Sequence, residues 1–506
     1  MTSLGIRSVE LILIVFVLTT KGKRTTRLLQ PNRLRTRWFI GLVRRASTVV
    51  CFSLAGQVGA ESNAPPPFQL LRYDENYRYL LSEPEPKSLW QELKAIPMGG
   101  SGADESYLSL GGEARYQYSY RTNEQWGRVP GNYGSVQQRY LLDADYWASS
   151  TLRIFGQLVS AEEHGRRPAP LPIDRDHLDA QQFFVELTEP FNAENARVRL
   201  RIGRQEIILG GHKILQAREG PNDQLSFDAV RLTVTAGPWQ ADVFASTMVA
   251  PQPGVFDDKW VQKNIEFWGA NLARLRAFGP LRMDLFYLGY ENRSIRYAQG
   301  SGHELRHTIG VRTDGQMGPW TFDNEVSGQF GTFAGAEIRA WGLASFTSYR
   351  FTDLPFAPKA TFGLNYTSGD SNPSDRRLDT FNPLFARGDY YGDTTTLTGA
   401  NVIDVTTSFE IRPTSKMRCL VQSDELWRSR TQDGLYGPPL IFFRSAGTDN
   451  NARYIGTQVT GLIGYAFNHF LDGQITLSHI FSGAFIRSAS PSAEVNTVTT
   501  RLQLRF

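Results

Sequence analysis

The residues best placed to do chemistry are arginines set two apart. In Arg197-Val198-Arg199-Leu200-Arg201-Ile202-Gly203-Arg204-Gln205-Glu206, Arg197, Arg199 and Arg201 share one face, and Val198, Leu200 and Ile202 share the other. Two is the period of a β-strand, so these guanidiniums stack along one side of it. Stacked positive charges repel unless water, carboxylates or an anionic solute compensates them. The guanidinium fork suits a carboxylate because it binds both oxygens. Two readings follow: a wet path for anions, or a structural ladder in which Glu186 and Asp242, on nearby strands, pair with the arginines.

The same parity along the chain gives the basic residues of the inward face, among them Arg115, Arg139, Arg153, Arg231, Arg282 and Arg312. With Arg197, Arg199, Arg201, Arg204, Arg218 and Arg387 they form the expected solute path. Acidic residues of the same parity are Glu113, Asp143, Asp145, Glu186, Asp242, Asp284, Asp323, Glu325, Glu337, Asp404, Glu410 and Asp424. The balance is only slightly positive, so a polyanion conduit needs its arginines gathered at one constriction.

The elements that must position these charges are the strands of a barrel. The last segment, Asn496 to Phe506, puts Val498, Thr500, Leu502, Leu504 and Phe506 on one face and Arg501, Gln503 and Arg505 on the other. Near the start, Leu108, Leu110, Ala114, Tyr116, Tyr118 and Tyr120 oppose Glu113, Arg115, Gln117, Ser119 and Arg121. Alternation predicts strands at 107–121, 136–147, 150–160, 179–189, 196–206, 226–235, 238–247, 264–277 and 280–291, and then at 305–313, 319–330, 335–352, 357–368, 402–412, 415–427, 454–467, 470–485 and 495–506. That makes about 18, an even number as bacterial outer-membrane barrels have. Counted from the first strand, alternate connections are short, with Gly237-Pro238, Gly279-Pro280, Gly318-Pro319, Pro355 and Pro413. The other set is long: 122–135, 161–178, 207–225, 248–263, 292–304, 369–401, 428–453 and 486–494, with 331–334 its one short member. Sorting of connections by parity is the signature of a transmembrane antiparallel β-barrel with short periplasmic turns and long extracellular loops.

Composition agrees. The chain has 506 residues, 12% of them aromatic, and a mean hydropathy of −0.33. No apolar stretch long enough for a membrane helix follows Pro65, which excludes a helical bundle in the membrane. The net charge of +4 is too small to argue for nucleic acid. Two cysteines, Cys51 and Cys419, do not make a disulfide framework. At the N-terminus, Arg44 and Arg45, the apolar run Ala46 to Ala55 and the small residues Val58-Gly59-Ala60 fit a signal peptide cleaved after Ala60. Residues 1–60 are therefore expected to be an extension and signal, 61–106 a periplasmic segment, and 107–506 the barrel.

Several motifs carry a resemblance. Arg201-Ile202-Gly203-Arg204-Gln205-Glu206, the pair Gly210-Gly211, Arg218 and Ser226-Phe227-Asp228-Ala229-Val230-Arg231-Leu232 resemble the alginate export family of outer-membrane barrels. So do Phe381-Asn382-Pro383-Leu384-Phe385 with Tyr390-Tyr391-Gly392, and Asp424-Glu425-Leu426-Trp427-Arg428. The likeness runs from about Phe68 to Phe506. It implies an 18-stranded, monomeric barrel whose electropositive constriction passes an anionic polyuronate.

The expected function is an outer-membrane channel for an alginate-type polyuronate or other anionic saccharide. The alternatives are a porin for small organic acids or other nutrients, and a plugged surface receptor or adhesin. Expected partners are the solute, outer-membrane lipid and lipopolysaccharide, and the barrel assembly machinery, through the strand ending at Phe506. No cofactor, metal or nucleic acid is expected. Loop 369–401, with Arg376, Arg377, Arg387 and Asp370, is of a kind that folds inward and narrows a pore, the plainer alternative being an exposed, mobile loop. Loop 161–178 holds Glu162, Glu163, His164, Asp174, Asp176 and His177, but their spacing is not diagnostic of a cation site, and a solvated loop is the plainer reading. The histidines are scattered and no nucleophile stands beside one, so no enzyme is expected.

Overall fold

The computed structural model describes residues 66–506 apart from 84–86, 101–104, 168, 192–195, 210–213, 217–218, 387–393, 395 and 448–450. The expected signal and its cleavage point lie outside the described residues, as do Arg218, Arg387, Gly210-Gly211 and Tyr390-Tyr391-Gly392.

Eighteen strands close into one antiparallel barrel. They are β1 (Ser106–Thr122), β2 (Tyr133–Trp147), β3 (Leu152–His164), β4 (Asp176–Pro190), β5 (Ala196–Gln205), β6 (Phe227–Ala236), β7 (Trp239–Met248), β8 (Ile265–Phe278) and β9 (Leu281–Tyr297). Then come β10 (Gly300–Met317), β11 (Trp320–Phe333), β12 (Ala336–Arg350), β13 (Lys359–Thr367), β14 (Val402–Thr414), β15 (Met417–Arg428), β16 (Tyr454–Ala466), β17 (Leu471–Ser482) and β18 (Val495–Arg505). Each pairs with its neighbour in the chain. β18 returns to β1 in register from Glu113↔Arg505 to Thr122↔Asn496, which closes the ring. Two short pieces, Ile96–Gly99 and Arg377–Leu378, add to this sheet at β1 and β12.

Alternation sets the two faces. Leu142, Phe183, Val243, Ile309, Phe362 and Leu477 point outward and are exposed. Arg139, Asp143, Gln157, Glu186, Asp284 and Asn365 point inward and are buried. Trp239, Phe278, Trp320 and Phe467 stand exposed beside the short turns, where an aromatic girdle meets the membrane interface.

One expected loop is absent. Residues 292–304 form no long connection: β9 and β10 run on as one hairpin to Tyr297↔Gly300, turning at Ala298-Gln299. Glu291, Asn292, Arg293 and Ser294 break the apolar alternation because this part of the hairpin stands clear of lipid. Strand pairing needs only backbone partners there, not an apolar face.

The segment before the barrel enters the turn-side half of the lumen. Two 3₁₀ turns (Arg72–Asp74 and Arg78–Ser82) lead to a short helix, α1 (Leu89–Lys94), whose Ser88 and Gln91 form a capping box. Tyr73 is 3% exposed, edge-on to the rings of Phe155 and Phe184. Arg72 Nη2 and Lys94 Nζ donate to the main-chain oxygen of Phe506 at 2.8 and 3.1 Å, which ties the segment to the closing seam.

Gly203 explains one motif. Its φ is +133°, and a Cβ there would stand 2.3 Å from the Phe183 carbonyl oxygen. Only glycine lets β5 approach β4 this closely. Gly203→Val is expected to cost roughly 1–3 kcal/mol and to lower the yield of folded barrel, read as heat-modifiable migration on a denaturing gel.

Candidate functional site: the arginine-lined lumen

Three layers occupy the lumen: the inserted N-terminal segment, loop 206–226 and loop 368–401. Loop 206–226 reaches from β5 across to the wall formed by β1, β2 and β3. Arg115 Nη1 donates to Glu219 O at 2.6 Å, and Asn222 Nδ2 donates to Gln138 O at 2.8 Å and Glu162 O at 3.1 Å. Loop 368–401 comes in from the opposite side, as expected for its described part. Arg306 Nη1 donates to Thr380 O at 3.2 Å, and Gln329 Nε2 to Asn382 O at 2.7 Å. The two loops meet where Phe385 N donates to Ile214 O at 2.8 Å. Ile207, Ile214, Leu215, Leu384 and Phe385 pack there on Phe227, Phe244 and Phe267, so an apolar patch of the wall holds the crossing.

On the turn side of that crossing a cavity of about 530 Å³ remains. Arg199, Arg201, Arg231, Arg282 and Arg312 line it, against Asp74, Asp242 and Asp314. Carboxylates behind the guanidiniums orient them. Arg201 Nε donates to Glu186 at 2.9 Å, Arg231 Nη2 to Asp242 at 2.7 Å, Arg282 Nη2 to Asp284 at 2.7 Å and Arg312 Nε to Asp323 at 2.9 Å. Glu186 also faces Arg199 at 3.5 Å and Arg153 at 3.8 Å. Glu186 therefore pairs with the β5 ladder as expected, whereas Asp242 pairs with Arg231 of β6 rather than with the β5 arginines, and donors are left to spare. Arg201 Nη1 is buried with no hydrogen-bond partner among the described residues. Arg199 keeps 46% and Arg282 33% of its side chain exposed. Burial raises the Asp74 carboxyl above its ordinary value, although Arg201, Arg231, Arg199 and Arg153 pull it down.

The expected path residues thus divide. Arg199, Arg201, Arg231, Arg282 and Arg312 come together at the cavity. Arg197 is exposed at the turn-side end of β5. Arg115 and Arg139 are fully buried, spent on loop 206–226 and on Glu113, which Arg139 Nη2 reaches at 2.6 Å. Arg153 is spent on Asp145 and on the carbonyl of Tyr73, at 2.7 Å. Arg204 corrects the sequence reading. It shares the parity of Val198, Leu200 and Ile202, lies fully buried away from the cavity, and donates through Nε to Asp228 at 2.9 Å. Trp260 of loop 249–264 covers it, with the ring centroid 4.3 Å from Cζ.

Tyr73 is the site residue the sequence reading missed. Its ring centroid lies 3.9 Å from Arg201 Cζ, and its hydroxyl donates to Glu206 O at 2.7 Å. It stacks on the central arginine and links the inserted segment to loop 206–226. The close spacing of Tyr73, Tyr77 and Tyr79 ahead of the first strand was its sequence signal.

The alginate export family description matches residues 106–499. The chain belongs to the alginate export family. No curated protein sequence matches it. Among solved structures it is similar to Pseudomonas aeruginosa OccK2 (OpdF) in complex with glucuronate, at 13% identity and a TM-score of 0.51, covering 79% of this chain and 98% of that one. It is also similar to a BenF-like porin from Pseudomonas fluorescens Pf-5, at 10% identity and a TM-score of 0.53, covering 79% and 98%. Family and fold together make this an outer-membrane channel of a Gram-negative bacterium, with its turns periplasmic and its loops extracellular. Its family and these neighbours are channels or porins rather than enzymes.

Two outcomes are expected. Tyr73→Ala uncouples the inserted segment from Arg201 and raises single-channel conductance in a planar bilayer. The second concerns the anchoring of loop 368–401. Asp433 accepts from Thr380 Oγ1 at 2.6 Å and from Asp370 N at 2.9 Å. Burial pushes Asp370 up to about 6, and the neighbouring Asp433 adds to the rise. The folded loop then holds a proton more tightly than the unfolded chain, whose ordinary Asp value is about 4. That stabilisation is complete below about pH 4 and is lost as pH rises through about 6. Amides of 370–385 should exchange more slowly at pH 5 than at pH 7 after correction for intrinsic rates, and Asp370→Asn should flatten the difference.

Proposed function

We propose that the channel passes anionic saccharides of the uronate class, with the periplasmic cavity as the selective site. The observation that carries this reading is the gathering of five guanidiniums against three carboxylates in one lumen cavity. The overall lumen balance is nearly neutral, so selectivity must come from such a local concentration of charge.

A uronate carboxylate entering the cavity exchanges water for N–H donors of Arg199, Arg231 and Arg282, whose side chains keep exposed surface there. Carboxylates behind each arginine keep the fork oriented and weaken the net field. The solute is therefore bound in steps and released again, which conduction requires. Sugar hydroxyls find partners in Thr233, Gln240 and Asn271 on the same wall. A volume of about 530 Å³ suits one or two sugar units at a time, within the usual range of small-molecule sites. The glucuronate complex of OccK2 supports a uronate as a solute that a barrel of this architecture accommodates. A polyuronate would thread the same site unit by unit, but the crossing loops must part for a continuous chain. Small organic acids are the second reading, favoured by that same crossing, which suits a short solute without rearrangement.

The test is the reversal potential in a planar bilayer under a salt gradient, with oligouronates added to one side. Wild type should be anion-selective and show uronate-dependent current block. Arg199→Ala with Arg282→Ala should move the reversal potential toward zero and weaken block about tenfold or more. Arg339→Ala, on an exposed residue paired with Glu337 at the extracellular end, should change neither. Selectivity without uronate block would favour the small-acid reading.

A further inference from the structure

Outside the lumen path, β4 begins with two aspartates, Asp176 and Asp179. In a regular strand a spacing of three puts them on opposite faces. Register shifts against β3, at Gln157/Leu158 and Val159/Ala161, break that alternation. Asp176, Asp179 and Asp258, the last from extracellular loop 249–264, each turn a carboxylate oxygen to within 4.8 Å of the others. Both oxygens of Asp176 are buried without a hydrogen-bond partner among the described residues, and the residue is 1% exposed. A buried carboxylate is costly unless a donor or a cation compensates it.

The surroundings do not supply the missing charge. Arg204 Nη1 stands 3.6 Å from Asp179 Oδ1 and 3.8 Å from Asp258 Oδ2, but its short bond goes to Asp228. Burial raises the carboxyl of Asp223 on loop 206–226, and Asp176 and Asp258 lie close enough to raise it further. The backbone holds the group in place. Asp258 N donates to Asp179 Oδ2 at 2.9 Å, Phe256 N to Leu178 O at 2.9 Å and Leu178 N to Gly254 O at 3.3 Å.

We infer that Asp176, Asp179 and Asp258 form a divalent-cation site of the Ca²⁺ type that clamps extracellular loop 249–264 to the start of β4. All three donors are hard oxygens. They come from a strand end and a loop, which suits the flexible coordination of Ca²⁺ better than the strict octahedron of Mg²⁺. An extracellular module of this kind binds with Kd on the order of 10⁻⁴–10⁻³ M, enough for occupancy outside the cell. The cation supplies the charge that the buried Asp176 lacks, and Trp260 over Arg204 lies beside it.

The test uses Tb³⁺ on the full-length folded barrel in detergent, with excitation through tryptophan. Wild type should show sensitised Tb³⁺ emission that saturates and that Ca²⁺ displaces. Asp176→Asn should weaken binding at least tenfold, and Asp258→Asn, a loop substitution that leaves the strand untouched, should do likewise. Heat-modifiable migration checks that each variant is folded, and Asp258→Asn carries the test if Asp176→Asn fails to assemble. Ions held by residual lipopolysaccharide would be equal in all three proteins. Emission unchanged in a folded variant, or wild-type emission that Ca²⁺ does not displace, overturns the site. Protease cleavage within 249–264 that Ca²⁺ slows in wild type but not in Asp258→Asn would further support the clamp.

Discussion

Hydrocarbon offers no hydrogen-bond partners, so every backbone N–H and C=O that crosses it must find one within the protein. In this chain the demand is met by closure, with β18 returning to β1 along Glu113↔Arg505 to Thr122↔Asn496. Closure imposes a period of two on every crossing strand, and that period leaves charged residues one direction in which to point. Crowding of arginines and carboxylates in the lumen follows from the backbone, before any solute is considered.

Once the charges are inside, their roles depend on which acceptor each arginine meets. Arg139 meets Glu113 and Arg153 meets Asp145, and both are buried and spent. Arg115 meets carbonyls of loop 206–226 and becomes its anchor. Around the cavity the carboxylates sit behind the guanidiniums instead, so forks are oriented while N–H groups still face the open space. One residue type therefore serves as wall, as anchor and as solute ligand within a single lumen.

The segment ahead of the first strand depends on the same arrangement. Tyr73 enters because Phe155 and Phe184 offer an apolar seat beside Arg201, and a tyrosine satisfies both ring and guanidinium. Its carbonyl and hydroxyl are each used, by Arg153 and Glu206. The extracellular loops pack on one another as well: Trp126, Leu397, Leu435, Phe443 and Phe485 share one apolar cluster. The long connections are thus built parts of the channel.

Much of the barrel was legible in the sequence because a lipid-facing strand must alternate. Strand positions such as 196–206 and 402–412 fall within a residue or two of those observed, and the sorting of short turns from long loops holds apart from 292–304. That exception lies above the membrane, where alternation is no longer enforced. The arginine ladder on β5 was legible for the same reason, and so was its pairing with Glu186, whereas Asp242 serves Arg231 of β6 instead. Arg204 shows the limit. Its parity placed it with the outward residues, and only loop 249–264 folding over it, with Asp228 alongside, made a buried arginine tenable there. The grouping of five arginines from β5, β6, β9 and β10, the entry of Tyr73 and the meeting of Asp176, Asp179 and Asp258 also belong to the tertiary structure. By itself the sequence determined the membrane-spanning barrel, its strand count and the face that charges such as Arg199, Glu186 and Asp284 take, because these obey a local period. Which charges meet depended on barrel curvature, strand register and the paths of the loops, because those contacts join residues far apart in the chain.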